Sequence, residues 1–149
     1  FDVLDLVPEK SQLYTMFNAF HHFDAKEQTG ILQKFKAHNG SLVITEILVP
    51  SFFTFIQIVL VSTIGQLFVA PFIKPFRPLR ILFTYLVPIN LITVLTDGII
   101  SVFKSKTKNY YQQLFRELQS ADYQILTKTV FNFPNKIITI IAKPIHAYT

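Results

Sequence analysis

Two adjacent histidines, His21 and His22, are the residues of this 149-residue chain best placed to do chemistry. They directly follow Gln12–Asn18 (QLYTMFN), an aromatic and apolar run too short for a helix and suited to a buried strand. Imidazole is the side chain whose ordinary charge change lies nearest neutral pH, which suits it to proton transfer. In an open α/β sheet the carboxyl ends of strands face the ligand crevice, so Asn18, Ala19, Phe20 and His21 are placed to line a pocket. Glu46, at the end of a second β-branched run Ser41–Ile47 (SLVITEI), points toward the same edge, as a polar contact or a strand cap. The plainer alternative stays open: both histidines also read as ordinary loop or helix-start residues. Asp2 and Asp5 bracket a short apolar stretch and read as solvated turn carboxylates. Asp97 stands among apolar neighbours, where a carboxylate is expensive, unless it marks a helix end beside Gly98. His38 and His146 fall at no ligand spacing, and the chain has no cysteine, so no metal site is expected. No glycine-rich phosphate loop or G-x-S-x-G elbow is present, and spacing alone defines no nucleophile–base pair.

The elements that must position these residues read as α/β. After the first strand, Asp24 offers a helix N-cap with Glu27 in the capping-box position. Ile31, Leu32 and Phe35 form the apolar stripe of that helix, and Asn39-Gly40 stops it. Strand, short helix and strand of these lengths imply parallel pairing. Further on, Thr107 can cap a helix whose Tyr110, Tyr111, Leu114, Phe115 and Leu118 share one face, broken at Ala121-Asp122. Tyr123–Phe131 and Lys136–Lys143, turned by Phe133-Pro134-Asn135, read as a closing antiparallel pair or as two strands flanking a third.

Between these flanks the composition changes. Residues 47–103 hold four charged side chains, Lys74, Arg77, Arg80 and Asp97, whereas the other 92 residues hold 19. With a mean hydropathy of +0.38, the chain is too apolar and too weakly charged to be disordered. Residues 47–73 carry no formal charge, long enough for a spanning helix, although Thr54, Gln57, Ser62 and Gly65 interrupt the run. The second half, 81–103, is broken by Pro88 and carries Asp97. If the strands on either side share one sheet, the chain leaves and returns on the same side, so it crosses twice or not at all. The link 74–80, net +3, and Lys104, Lys106 and Lys108 pull equally under the positive-inside rule. The favoured reading is a re-entrant or interface-lying helical hairpin with basic residues at anionic headgroups. A two-span hairpin, or an apolar lid or oligomer interface, are the alternatives. The formal charge of +5 forms no Lys/Arg stripe, so nucleic acid is not expected as a partner.

The order of these pieces resembles a family. A strand ending in Asn18-Ala-Phe-His-His-Phe23, then a capped helix, then Gly40-Ser-Leu-Val-Ile-Thr-Glu46 resembles the fourth and fifth strands of class I S-adenosylmethionine-dependent methyltransferases. Tyr123–Phe131 and Lys136–Lys143 then look like the sixth and seventh strands, the antiparallel finish of a Rossmann-like sheet. Lys74–Pro88 and Val94–Ser101 are similar to a bacterial subgroup with a hydrophobic insertion after the fifth strand. That subgroup's tryptophan before Asp-Gly and its Cys-Leu-Arg-Thr-Tyr are replaced here by Thr96 and Val102-Phe103-Lys104-Ser105.

The resemblance implies a fold of residues 1–46 and 104–149 as one incomplete methyltransferase-like α/β domain, with 47–103 inserted. It implies S-adenosylmethionine as cofactor, Asp2 and Val3 at the adenine, and Asn18, Ala19, Phe20 and His21 at the methionine end. His21, His22 or Glu46 would orient or deprotonate the methyl acceptor. An insertion beside the crevice suggests a lipidic or quinone-like substrate, a hypothesis resting on apolarity alone, at the cytoplasmic face of a membrane. The family's G-x-G-x-G loop and ribose-binding acid would precede Phe1. Because the chain opens at Phe1 without Met or a basic leader, a processed or partial chain is expected. That chain alone is expected neither to hold the cofactor nor to methylate. The rivals are a non-catalytic membrane-anchored interaction module and a small two-span membrane protein.

Overall fold

A computed structural model describes residues 3–10, 12–132 and 135–145. In chain order the elements are β1 (Leu13–Phe17), α1 (Ala25–Ala37), β2 (Ser41–Glu46), α2 (Phe52–Leu60), α3 (Gln66–Val69), α4 (Pro78–Ile81), α5 (Ile89–Lys104), α6 (Lys108–Leu114), β3 (Tyr123–Asn132) and β4 (Asn135–Pro144). They form two compact units, Phe1–Val49 with Ser105–Thr149, and Pro50–Lys104.

The first unit is α/β, with a four-stranded mixed sheet in the order β1-β2-β4-β3. β1 pairs parallel with β2, because α1 carries the chain across between them. β4 pairs antiparallel with both β2 and β3, so it is the one reversed strand of the four. The closing antiparallel pair is thus what forms, with its second strand lodged beside β2. Phe133 and Pro134 of the expected turn lie outside the described residues. Side chains alternate across a strand. On β2 that alternation buries Leu42, Ile44 and Glu46 on one face, so the carboxylate occupies the last core position of an otherwise aliphatic row.

α1 starts as its sequence dictates. The Asp24 carboxylate accepts from Glu27 N (2.8 Å), and the Glu27 carboxylate accepts from Asp24 N (2.8 Å). Its Ile31, Leu32 and Phe35 enter the core beside Ile138, Ile140 and Ala142 of β4. The helix stops at Asn39-Gly40, as expected. Asn39 alone takes the left-handed conformation (φ 51°), and Gly40 has no positive φ. Gly40 serves close approach instead: a Cβ there would sit 2.7 Å from Pro8 Cβ and 3.0 Å from the Phe35 ring. Its carbonyl accepts from the buried Tyr123 hydroxyl (2.9 Å), and burial pushes that phenol up to about 12. α6 ends one turn sooner than its apolar stripe suggests. Thr107 caps it, but the chain turns at Phe115 into a short 3-10 turn, Arg116–Leu118, which still buries Phe115 and Leu118.

In the second unit, α2, a π-helical turn (Val61–Gly65), α3 and a 3-10 turn run on as one helix, Phe52–Phe72. The helix is 21 residues long, which at 1.5 Å per residue gives about 31 Å. By length and composition it can cross a membrane. A second stretch, Pro78–Leu86 with α5, is long and apolar enough only if both helices are taken together, and it is bent by 73° at the Pro88 break.

Burial in this unit is inverted. Its most enclosed residues include Thr54, Ser62, Ala70, Thr84 and Ser101, while Phe52, Phe53 and Phe68 are each 73% exposed and Phe72 80%. The hydroxyls of Thr63, Thr93 and Thr96 donate to carbonyls four residues back, so they are satisfied within their own helices. Small residues let α2 and α5 approach closely. A Cβ on Gly98 would lie 2.6 Å from Ile58 Cγ2 and 3.3 Å from Ser62 Oγ. Gly98→Leu is therefore expected to force this pair apart, at about 1–3 kcal/mol of overpacking. Amide exchange in detergent micelles should quicken at least roughly fivefold across residues 54–62 and 95–102. Unchanged protection there would refute the close packing.

Candidate functional site

Asn18 closes β1 in the left-handed conformation (φ 48°), which a short amide side chain tolerates better than most residues. Its backbone N–H donates to Thr45 O (2.8 Å), and its side-chain oxygen accepts from Ile47 N and Leu48 N (3.4 Å each). One residue thus ties together the carboxyl ends of the two parallel strands. The chain then makes a single 3-10 turn, Phe20–His22. Gln28 of α1 pins that turn by donating to Phe20 O (2.9 Å) and Phe23 O (3.0 Å).

On this anchored turn His21 is buried, and its Nδ1 lies 2.6 Å from Glu46 Oε2. The other carboxylate oxygen, Oε1, accepts from Phe20 N at 2.7 Å. A carboxylate that already takes one backbone N–H accepts here too, which places a proton on Nδ1; in the neutral imidazole the lone pair then lies on Nε2. Nε2 is buried and has no hydrogen-bond partner. Leaving a buried polar atom unpaired costs about 1–3 kcal/mol, so it calls for an explanation. The geometry is that of a base held in one tautomer by a carboxylate behind it. The His22 ring is exposed and rests on the His21 ring, with centroids 4.3 Å apart.

Sequence reasoning placed His21 and Glu46 at one edge but did not pair them. The structure does. It places the other candidates less uniformly. Asn18 and Ala19 are half-buried on the loop. The Phe20 ring is fully inside the core, 6.0 Å from the Tyr111 ring and 6.1 Å from Phe115, and its backbone N–H and carbonyl are engaged by Glu46 and Gln28, so the residue is not presented to a ligand. Val3 packs against the core, and Asp2 lies outside the described residues, as does His146. Asp5 is exposed. Asp97 is exposed on α5, in the other unit. His38 is exposed, and its Nδ1 meets Lys34 O at the end of α1 (2.9 Å). Among the described residues no group of three His, Cys, Asp or Glu side chains could hold a metal ion.

The sequence marks Tyr111 only as part of an apolar helix face, whereas the structure brings a polar group into the core there. Its hydroxyl is buried without a hydrogen-bond partner. Burial first, then the Glu46 carboxylate and Tyr110, push the phenol well above its ordinary 10.0, so it stays a neutral donor. The signal was available in principle: a tyrosine where phenylalanine would pack equally well brings a polar tip into the core. Tyr110 beside it is raised by burial and by Asp24, and reaches Gln28 Oε1 at 3.5 Å.

No family model matches the chain, and no curated protein does. Among solved structures, the crystal structure of LaPhzM is similar at 17% identity with a TM-score of 0.45. The match covers 97% of this chain and 33% of that one, so the chain spans about a third of that structure's length. A likeness of that score decides nothing, and the α/β fold rests on its own strand pairing.

Proposed function

We infer that the chain is part of a class I S-adenosylmethionine-dependent methyltransferase that works at a membrane, with His21 as the base for the methyl acceptor and Glu46 as its positioning residue. One observation carries this reading: a buried histidine–carboxylate pair at the shared carboxyl edge of two parallel strands, with the second ring nitrogen, Nε2, left without a hydrogen-bond partner. Ligands of open α/β sheets bind at that edge. The two parallel strands followed by an antiparallel finish also agree with the order that the sequence resemblance implies.

The fit to the cofactor is partial. Asn18 and Ala19 offer half-buried loop surface at the strand end, whereas the Phe20 side chain and Val3 belong to the core. When bound, S-adenosylmethionine supplies a methyl group on a sulfonium, a reaction in which alignment does much of the work. The residues of this chain act on the acceptor. Its O–H or N–H bond breaks as the proton passes to His21 Nε2, and the freed electron pair is directed at the methyl carbon. Glu46 keeps the imidazole in the receptive tautomer and stabilises the positive charge that develops on it.

The membrane enters through topology and surface. β2 before the insertion and β4 after it pair in one sheet, so the chain crosses a bilayer twice or not at all. The helix Phe52–Phe72 is mostly exposed, unlike a core helix, and presents apolar residues outward. Asp97, exposed on α5, suits an arm lying near headgroups better than one sunk in hydrocarbon. A re-entrant hairpin on the cytoplasmic face and a lipidic acceptor are the reading these features favour.

The test is tritiated methyl transfer from S-adenosylmethionine into a membrane-lipid extract, using the protein as the cell makes it. His21→Ala is expected to lower kcat by at least roughly 100-fold, the usual share of acid–base catalysis, with KM little changed. Transfer that is absent from the natural protein sinks the enzyme reading. Transfer that survives His21→Ala undiminished removes the base.

A further inference from the structure

Within the inserted unit, Arg77, Pro78, Leu79, Arg80, Phe83 and Asn90 line a cleft of about 470 Å³. Its two guanidinium groups have no acidic counterpart in the surrounding sequence, which holds no Asp or Glu between Glu46 and Asp97. Arg80 is not a loose surface arginine. Its guanidinium donates to Ile73 O (2.6 Å) and Pro75 O (3.3 Å), which fixes the fork and uses two of its five N–H donors. An anchored fork loses less freedom on binding, and it matches phosphate oxygens in pairs. Asn90 donates to Thr84 Oγ1 (3.3 Å), which leaves its carbonyl oxygen and a second N–H for other partners. The remaining walls are apolar, and Leu79 and Phe76 nearby are exposed, at 64% and 66%. A soluble phosphate has no use for such walls. An amphiphile does.

We propose that this cleft binds the phosphate of an anionic glycerophospholipid, with Arg77 and Arg80 on the phosphate and Leu79 and Phe83 against the start of the acyl chains. The proposal rests on the reading that this unit meets a bilayer, and it adds a headgroup preference that burial of apolar surface alone does not produce. Diffuse attraction to an anionic surface contributes about fivefold per Lys or Arg, so charge alone gives the pair about 30-fold, and the paired fork adds to that.

The experiment is flotation of the full chain with phosphatidylcholine vesicles, with and without phosphatidylglycerol. Expected are binding to both and a preference for the anionic vesicles that falls by more than about 30-fold in Arg77→Ala/Arg80→Ala, with phosphatidylcholine binding unchanged. The Arg77→Lys/Arg80→Lys variant retains charge and guards against misfolding; it should keep only part of the preference, because the paired fork is gone. Equal binding to the two vesicles overturns the headgroup site while leaving the bilayer reading intact. No binding to either overturns both. A preference kept in full by the lysine variant reduces the site to diffuse charge attraction and overturns it. Displacement from anionic vesicles by inorganic phosphate at matched headgroup concentration assigns the cleft to free phosphate and overturns the lipid.

Discussion

Replacing Glu46 by glutamine is expected to move the imidazole proton of His21 from Nδ1 to Nε2. The glutamine oxygen can still accept from Phe20 N, now at the position of the Glu46 oxygen that lies 2.7 Å away. The amide nitrogen, however, can only donate toward His21 Nδ1, so the ring must offer a lone pair there. Nε2 then carries a hydrogen, in a place where the native ring presents an acceptor without a partner. Two hydrogen bonds to a charged group become two neutral ones, a loss of about 1–3 kcal/mol in stability. The consequence for activity is larger. In serine-protease triads the same carboxylate-to-amide exchange leaves the geometry intact and lowers turnover about 10⁴-fold through the wrong tautomer. Two measurements check this in Glu46→Gln. Nitrogen-15 shifts of the ring report the tautomer in the folded chain, and methyl transfer by the natural protein reports the rate. A ring that keeps its proton on Nδ1 contradicts the assignment of Glu46. A switched tautomer with full activity leaves Glu46 structural and removes it from the chemistry.

The pair illustrates what a sequence can and cannot announce. Each member is visible by itself: His21 follows a strand, and Glu46 ends one. Their meeting depends on β1 and β2 being parallel and in register, with Phe17 opposite Thr45. That register is a long-range property, set by α1 and by the Asn18 clamp. The capping box of α1 was legible because capping is local chemistry: Asp24 and Glu27 sit three residues apart and need nothing else. The helix stop was half legible. The dipeptide Asn39-Gly40 marked the place, but the need for a glycine there is tertiary, because Pro8, far back in the chain, and Phe35 leave no room for a Cβ at Gly40. The places that Tyr111 and Gln28 take were illegible for the same reason. Each sits on an apolar or mixed helix face, and only tertiary packing brings the first near Glu46 and the second beneath the Phe20–His22 turn.

The inserted unit was legible in a different sense, because its signal is composition and not register. Its strongest test follows from the side on which its aromatic residues stand. Phe52, Phe53, Phe68 and Phe72 are mostly exposed, so removing their rings takes little packing away from the unit itself. What it takes away is the surface available to an apolar solvent. A fully buried phenylalanine is worth about 1.5–3 kcal/mol of transfer, and even half of that, summed over four residues, exceeds roughly 3 kcal/mol. Changing all four to serine is therefore expected to lower partitioning into phosphatidylcholine vesicles by at least about 100-fold. The near-ultraviolet signal of the buried Tyr111 and Tyr123 should remain, since both belong to the other unit. The competing explanations predict different things. If these rings seal an oligomer, the native chain sediments as one without lipid and ignores vesicles, and the serine variant becomes a monomer. If they fold under as an ordinary core, the variant unfolds. Flotation of the serine variant at the native level would show that this face does not meet lipid, because nothing else on Phe52–Phe72 is both as apolar and as exposed.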